Sequence, residues 1–358
     1  MISLEQLQSM RQSSDRAADD VIKVLFQSGA QDQMAKLMAL EGNADPLPND
    51  LHPDLLQFIQ DCSKLPDWAD PQKITDSEAF FDQYQVYVYT ALLFAALPYC
   101  YAAADGARVL SHSNRMEELT QRRLSETGQF IQDVSEPGAF GPKGKAFRSI
   151  AKVRLIHAAV RFHLLKKGHW NSEWGLPTNM EDMAGTNLAF SIVTLRAVEK
   201  LGVELSPPVK DAFLHKWNLI SHLLGLDKSL LATDYKEALR LEKQIVKRLF
   251  RPSPEGKKLT KSLVEFIHHI EKPLAPNYGS HMMRYLLGNQ VGDILGLEEI
   301  PLFNWPSLMS HTNALVHKLG WSPKLNQMHI PLHLSLIKRG EIENQRIEYP
   351  LDTILKGN

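Results

Sequence analysis

The amino-acid sequence predicts an all-α protein, and three observations carry that prediction. Apolar residues recur at three- and four-residue spacing through most of the 358 positions, which places them on one face of a helix. No stretch of any length alternates apolar with polar residues as a half-buried strand does, and no internal repeat stands out. Hydrophobic residues make up 44% and charged residues 23%, the balance of a globular chain long enough to bury a sizeable core.

Taken in order, residues 1–44 read as amphipathic helix, with Val21, Ile22, Val24, Leu25 and Phe26 set among charged residues. Pro46, Pro48 and Pro53 mark a connector, 51–62 reads as a short helix, and Leu65-Pro66-Asp67-Trp68-Ala69-Asp70-Pro71 breaks it. Asp76 or Ser77 is the expected cap of the next helix. From 83 to 104 no residue is charged, so a membrane span has to be weighed. Pro98, the alanine-rich end and Tyr84, Tyr87, Tyr89, Tyr99 and Tyr101 favour a buried central helix, kinked or ended near Pro98, whose hydroxyls find protein partners.

A further helix over 108–133 carries Glu126 and places Arg123 and Thr127 four apart, on a shared face. The turn at 137–145 imitates a phosphate loop. Five residues rather than four separate Gly138 from Gly144, Ala146 follows in place of Ser or Thr, and no strand precedes, which excludes that role.

The helix over 145–167 is the most informative. One of its faces carries Ile150, Val153, Arg154, His157, Val160, Arg161 and Leu164. A guanidinium stays charged in a protein, so two on a core-directed stripe need anionic partners. Two arrangements satisfy them. In one, Arg154 and Arg161 pair with carboxylates of a neighbouring helix while His157 is a hydrogen-bonded core residue. In the other, His157 ligates haem iron and the arginines meet the propionates, which explains all three polar residues at once.

Beyond it, 168–177 reads as a loop holding Trp170 and Trp174, and Thr178-Asn179-Met180-Glu181 has capping-box spacing for a helix to about 200. Gly185 and Thr186 on that helix permit close approach of something flat or of another helix. Helices are expected over 208–224, 234–250, 258–270, 282–295 and 307–319, with a turn at 251–256 and an irregular tail from 321 to 358. Glu237, Glu242 and Glu255 interleave the basic residues between Lys236 and Lys261, so that stretch reads as a solvated face rather than a membrane patch.

Several function classes drop out. Lys+Arg 40 against Asp+Glu 41 gives a net charge of -1, with no global field for nucleic acid. Cys62 and Cys100 are the only cysteines, too few for a disulfide framework or a cysteine zinc site, and no disulfide-linked partner is expected. The opening Met1-Ile2-Ser3-Leu4-Glu5-Gln6 lacks a basic and an apolar signal region, so a cytoplasmic location without a transmembrane segment is expected. Glu265 and His268 form one Glu-x-x-His unit where di-iron bundles need two, and Pro331 stands between His329 and His333. Zinc-protease, nucleophile-elbow and dinucleotide motifs are absent.

Arg154-Leu155-Ile156-His157 with Arg161 one turn later resembles the haem-ligand signature of the latex-clearing protein (rubber oxygenase) family. That superfamily includes the endoplasmic-reticulum oxygenase of mycophenolic acid biosynthesis. Leu65-Pro66-Asp67-Trp68, the apolar segment 86–101, Arg123 with Thr127, and Gly175-Leu176-Pro177 through Asp182-Met183-Ala184-Gly185-Thr186 resemble other family stretches in the same order. The likeness spans roughly 60–200 and weakens toward 300.

The resemblance implies a globin-like helical core enlarged by extra N- and C-terminal helices, holding haem b with His157 as proximal iron ligand. Arg154 and Arg161 would lie beside it, and Arg123, Thr127 and Thr186 would belong to the haem pocket. It divides the chain into an N-terminal helical extension (1–59), a catalytic domain (60–300), and a C-terminal helix and tail (301–358) packed on that domain. The implied chemistry is dioxygen addition across a carbon–carbon double bond of an apolar chain. One position departs: rubber-degrading members carry a lysine immediately before the threonine, and here it is Glu126. A carboxylate does not imitate an amine ligand, though it can serve as a base. A small hydrophobic isoprenoid or lipid alkene and dioxygen are therefore the expected partners. A peroxidase-like haem protein or sensor, and a cofactor-free helical binding protein, are the alternatives.

Overall fold

A computed structural model describes residues 2–111, 116–168, 170–271 and 277–300. The expected helix over 307–319, the tail over 321–358 and the C-terminal division 301–358 lie outside the described residues. The helices in order are α1 (Leu4–Met10), α2 (Arg16–Gln27), α3 (Gln33–Ala39), α4 (Pro53–Asp61), α5 (Pro71–Ala91), α6 (Leu97–Ala102), α7 (Ala104–Ser111) and α8 (Met116–Ser135). They continue as α9 (Ala146–Lys166), α10 (Met180–Leu188), α11 (Thr194–Lys200), α12 (Pro207–Leu223), α13 (Tyr235–Leu249), α14 (Pro254–Glu271), α15 (Tyr278–Leu287) and α16 (Asn289–Leu295). The described residues contain no strand; one antiparallel bridge joins Ala103 to Phe250. The all-α class is as the sequence predicts.

Boundaries differ where local capping outweighs periodicity. The single amphipathic stretch at the N-terminus is three helices, because Ser3 and Gln6 form a capping box on α1 and Asp15 caps α2 anew. Asp70, not Asp76 or Ser77, caps α5, accepting from the amides of Gln72 (2.9 Å) and Lys73 (3.3 Å). Pro71 follows in the first turn, where its missing N–H costs nothing. The expected helix over 282–295 is two, α15 and α16, divided at Gly288, whose φ of 85° suits glycine.

The charge-free stretch is a buried helix with two distortions. Tyr84 leaves helical geometry (φ -117°, ψ 19°), and Leu92–Ala96 winds as π-helix into α6. Pro98 accounts for the second: it donates no hydrogen bond and its ring would clash with the carbonyl one turn back, and a wider turn relieves both. A second π-helical segment, Ala189–Val193, joins α10 to α11. There the Ser191 hydroxyl donates to the Asn187 carbonyl (2.6 Å) and Thr194 to that of Ala189 (3.1 Å), loosening the ladder from within. The two π segments pack together in the core. No helix among the described residues is long and apolar enough to cross a membrane. Tyr89 donates to Gln132 Oε1 (3.0 Å) and Tyr99 to Glu242 Oε1 (2.5 Å), as buried hydroxyls require.

Three apolar clusters organise the packing. The largest gathers α5, α6, α8, α12, α14 and α15 around Phe94, Trp217 and Leu263. A second sets α2, α3 and α4 against Ala151, Leu155, Ala158 and Ala159 of α9. A third joins α1 to α10, α12 and α13. The N-terminal helices are thus integral to the packing of α9 and α10.

α5 and α12 are pinned by a buried ion pair: Lys216 Nζ donates to Glu78 Oε1 at 2.9 Å, and Glu78 Oε2 accepts from the Gly138 amide at 2.9 Å. Burial pulls the Lys216 amine down to about 8, against the pull of Glu78. Removing one partner strands the other charge. Glu78→Ala is expected to lower the free energy of unfolding by about 3–5 kcal/mol, and Glu78→Ala/Lys216→Met to recover most of that loss, both measured by chemical denaturation.

Candidate haem and oxygenase site

The two arginines of α9 find their anions on α2. Arg154 Nη2 donates to Asp15 Oδ1 at 2.8 Å and Arg154 Nε to Asp15 Oδ2, a two-point pairing. Arg161 Nε donates to Asp19 Oδ1 at 2.8 Å, and Nη1 to the carbonyls of Pro177 (3.3 Å) and Thr178 (3.0 Å). Both guanidinium groups are therefore neutralised by the protein itself. The neighbouring-helix arrangement describes the arginines; it does not describe His157.

His157 Nδ1 is buried and has no hydrogen-bond partner. Burial, reinforced by the Arg161 charge and opposed by Asp15, pulls the imidazole down to about 4, so it is neutral through the physiological range. Its place on the helix matters too. Ala151, Leu155, Ala158 and Ala159 face the N-terminal cluster, and Val153, Ile156, His157 and Val160 share the opposite face. Those four keep partial exposure, whereas the N-terminal face is closed. Arg154 and Arg161 lie at the seam between the two faces. A neutral imidazole whose buried Nδ1 has no partner, on a face that keeps partial exposure, is available to ligate a metal. A single histidine donor among apolar side chains suits a metal that brings its other ligands in a macrocycle. The residues present fit haem.

α8 packs along α9 and carries the other predicted residues. Glu126 Oε1 accepts from Arg122 Nε at 2.9 Å, and Arg123 Nη1 donates to the Leu110 carbonyl at 3.1 Å. Burial raises Glu126 above the ordinary carboxylate range, against Arg122 and Arg123. Thr127 is half-buried on the same helix. Thr186 lies on α10, its hydroxyl donating to the Asp182 carbonyl at 3.0 Å. Burial pushes the Cys100 thiol up to about 12, opposed by a hydrogen bond with Thr186. A Cβ at Gly185 would meet Ile245 at 3.5 Å, so the close approach there is of another helix, α13.

α10 begins one residue later than its capping-box spacing predicts. Asn179 is the cap, accepting from the Asp182 amide at 3.0 Å, and Thr178 takes φ 54°. The box is undone by competition: Thr178 offers its carbonyl to Arg161, and Glu181 is held by Arg248 Nε at 2.6 Å and by Arg11.

Sequence reasoning missed Arg11, Asp15, Asp19 and Gly225. Arg11 is buried among Asp105 (3.4 Å), Glu181 (3.5 Å) and Asp182 (3.2 Å). Gly225, at φ 92°, leaves room for the Asp15–Arg154 pair; a Cβ there would stand 2.6 Å from the Asp15 carboxylate and 3.0 Å from Arg154 Nε. The available signal was the spacing of Asp15 and Asp19, one helical turn apart, against two arginines that need anions.

Comparisons with known proteins establish the fold and the family. The fold is that of a helical, globin-like protein: the structure of latex clearing protein in its closed state superposes with a TM-score of 0.78, covering 92% of this chain and 91% of that one at 24% identity. The model of the family described as "ER-bound oxygenase mpaB/B'/Rubber oxygenase, catalytic domain" matches residues 85–313, and the chain belongs to that family. Among its relatives is the rubber oxygenase of Streptomyces sp. (strain K30), 25% identical over 318 residues, spanning 84% of this chain and 76% of the relative.

One titration tests the local electrostatics. Burial lifts Asp182 to about 6, outweighing Arg11, with Glu181 and Asp105 adding to the lift. A carboxyl raised in the folded state contributes stability that is complete below its unfolded value near 3.8 and is lost as pH rises through about 6. Asp182→Asn is therefore expected to gain stability relative to wild type between pH 4 and pH 7, seen in paired thermal melts across that range.

Proposed function

We propose that the chain is a haem b-dependent oxygenase that uses dioxygen on a hydrophobic, alkene-containing substrate of isoprenoid or lipid type, with His157 as proximal iron ligand. The observation that carries this reading is the neutral imidazole of His157, its Nδ1 without a partner, on the partly exposed face of α9 in a chain of this oxygenase family. Haem iron, when bound, supplies the binding and activation of dioxygen.

The chain's own residues would do the rest. His157 presents a lone pair that burial keeps unprotonated. Val153, Ile156 and Val160, on the same face, offer apolar surface to macrocycle and substrate and keep water away. Glu126, held to Arg122, keeps a proton to higher pH than an exposed carboxyl does and serves as acid or base. Arg123 and Thr127 supply hydrogen-bond donors, while Thr186, whose proton goes to the Asp182 carbonyl, offers an acceptor. Arg154 and Arg161, already paired with Asp15 and Asp19, act on the cofactor through the helix rather than as its counter-ions. Residues 60–300 form the catalytic unit in this reading, with 1–59 as its extension. Glu126 in place of the lysine separates this site from the rubber-degrading pattern, and a small alkene is the substrate class it favours.

Absorption spectra of protein from haem-supplemented cells, wild type beside His157→Ala, test the reading. The expected result is a Soret band that shifts on reduction and carbon monoxide addition and is lost in the variant, with oxygen uptake when an unsaturated isoprenoid or lipid is added. Ligand binding without oxygen uptake would favour a sensor. A colourless wild type that does not take up haemin would sink the haem reading.

A further inference from the structure

Residues 11–19 run from the end of α1 into α2, upstream of the span matched by the family model. They nevertheless touch both helices that carry the proposed cofactor residues. On the α10 side, the Arg11 carbonyl accepts from the Leu176 amide (2.8 Å) and the Ser13 carbonyl from the Met180 amide (3.0 Å). The Arg11 guanidinium meanwhile reaches Glu181 and Asp182. On the α9 side, Asp15 holds Arg154 and Asp19 holds Arg161. The two arginines stand one turn before and one turn after His157, roughly 10 Å apart along the axis. Two clamps on one flank fix both the position and the rotation of that helix, and so the direction of the imidazole.

Resting on the reading of His157 as axial ligand, we propose that Asp15 and Asp19 are positioning residues for His157, and that segment 11–19 sets α9 relative to α10. Gly225 is part of the device, because any side chain there would press on the Asp15–Arg154 pair.

The test is haemin titration of the full-length haem-free protein, followed by absorbance, for wild type, Asp15→Asn, Asp19→Asn, the double variant and His157→Ala. Two further readouts accompany it: the iron–histidine stretching frequency of the reduced complex, and amide hydrogen exchange over 153–161 without haemin. The double variant is expected to bind haemin ten- to a hundredfold more weakly, to shift the stretching frequency, and to exchange faster over 153–161. If the double variant does not fold, Asp19→Asn carries the test, since Asp19 is only part-buried. Gly225→Ala should shift the same frequency with both charges kept. Wild-type affinity, frequency and exchange in the aspartate variants would overturn the proposal. Unchanged haemin binding and spectrum in His157→Ala would instead overturn the ligand reading, leaving hydrogen exchange to judge the segment alone.

Discussion

The structure around α9 depends on a single constraint: two guanidinium groups beside a half-buried imidazole cannot give up their charge. Left unpaired, each would cost several kcal/mol of desolvation. The protein meets the demand with carboxylates one helical turn apart on α2, and the rest of the N-terminal packing follows. α2 must lie along α9, the loop before α10 must bring its carbonyls to Arg161, and residue 225 must lack a side chain. Because the arginines are satisfied on one flank, the adjoining face of α9 is left to an uncharged imidazole and apolar neighbours.

A second electrostatic knot secures α10. Arg11 and Arg248 converge on the fully buried Glu181, and Arg251 reaches Asp105 at 2.5 Å. Acids and bases nearly balance there, so the knot holds α1, α7, α10 and α13 together without leaving an unpaired charge. The two π-helical segments pack on each other in the core. Each inserts about one extra residue into a turn, so side chains on either side face directions that a regular helix would not give them.

Much of this was legible in the chain. The charge-free stretch with its tyrosines and Pro98 announced a buried, distorted helix, and the structure shows why: the hydroxyls need partners and the proline needs a wider turn. Arg154 and Arg161 announced a need for anions. What the sequence did not disclose was who supplies them, because Asp15 lies 139 residues before Arg154 and nothing local ties them. The misplaced caps have the same origin. Thr178 and Glu181 have the right spacing, but distant arginines compete for their carbonyl and carboxylate. The expected caps of α5, Asp76 and Ser77, lie inside the helix, because the proline-rich stretch that holds Asp70 has the composition of a break while its side chain caps the next helix. Short-range signals set most elements, and long-range charge pairing decided how they meet.

The reach of segment 11–19 also has a consequence for how the chain is made. At about 5–20 residues per second, roughly 7–28 s of synthesis separate Asp15 from its partner on α9. Until then Asp15 and Asp19 have water as their counterpart, and the N-terminal helices cannot take their final seat. Docking of α2 therefore waits for α9, while the more than half of the chain that follows Arg154 is still to be made. A substitution that slowed the pairing of Asp15 with Arg154 would delay the N-terminal packing without touching the folding of α2 itself.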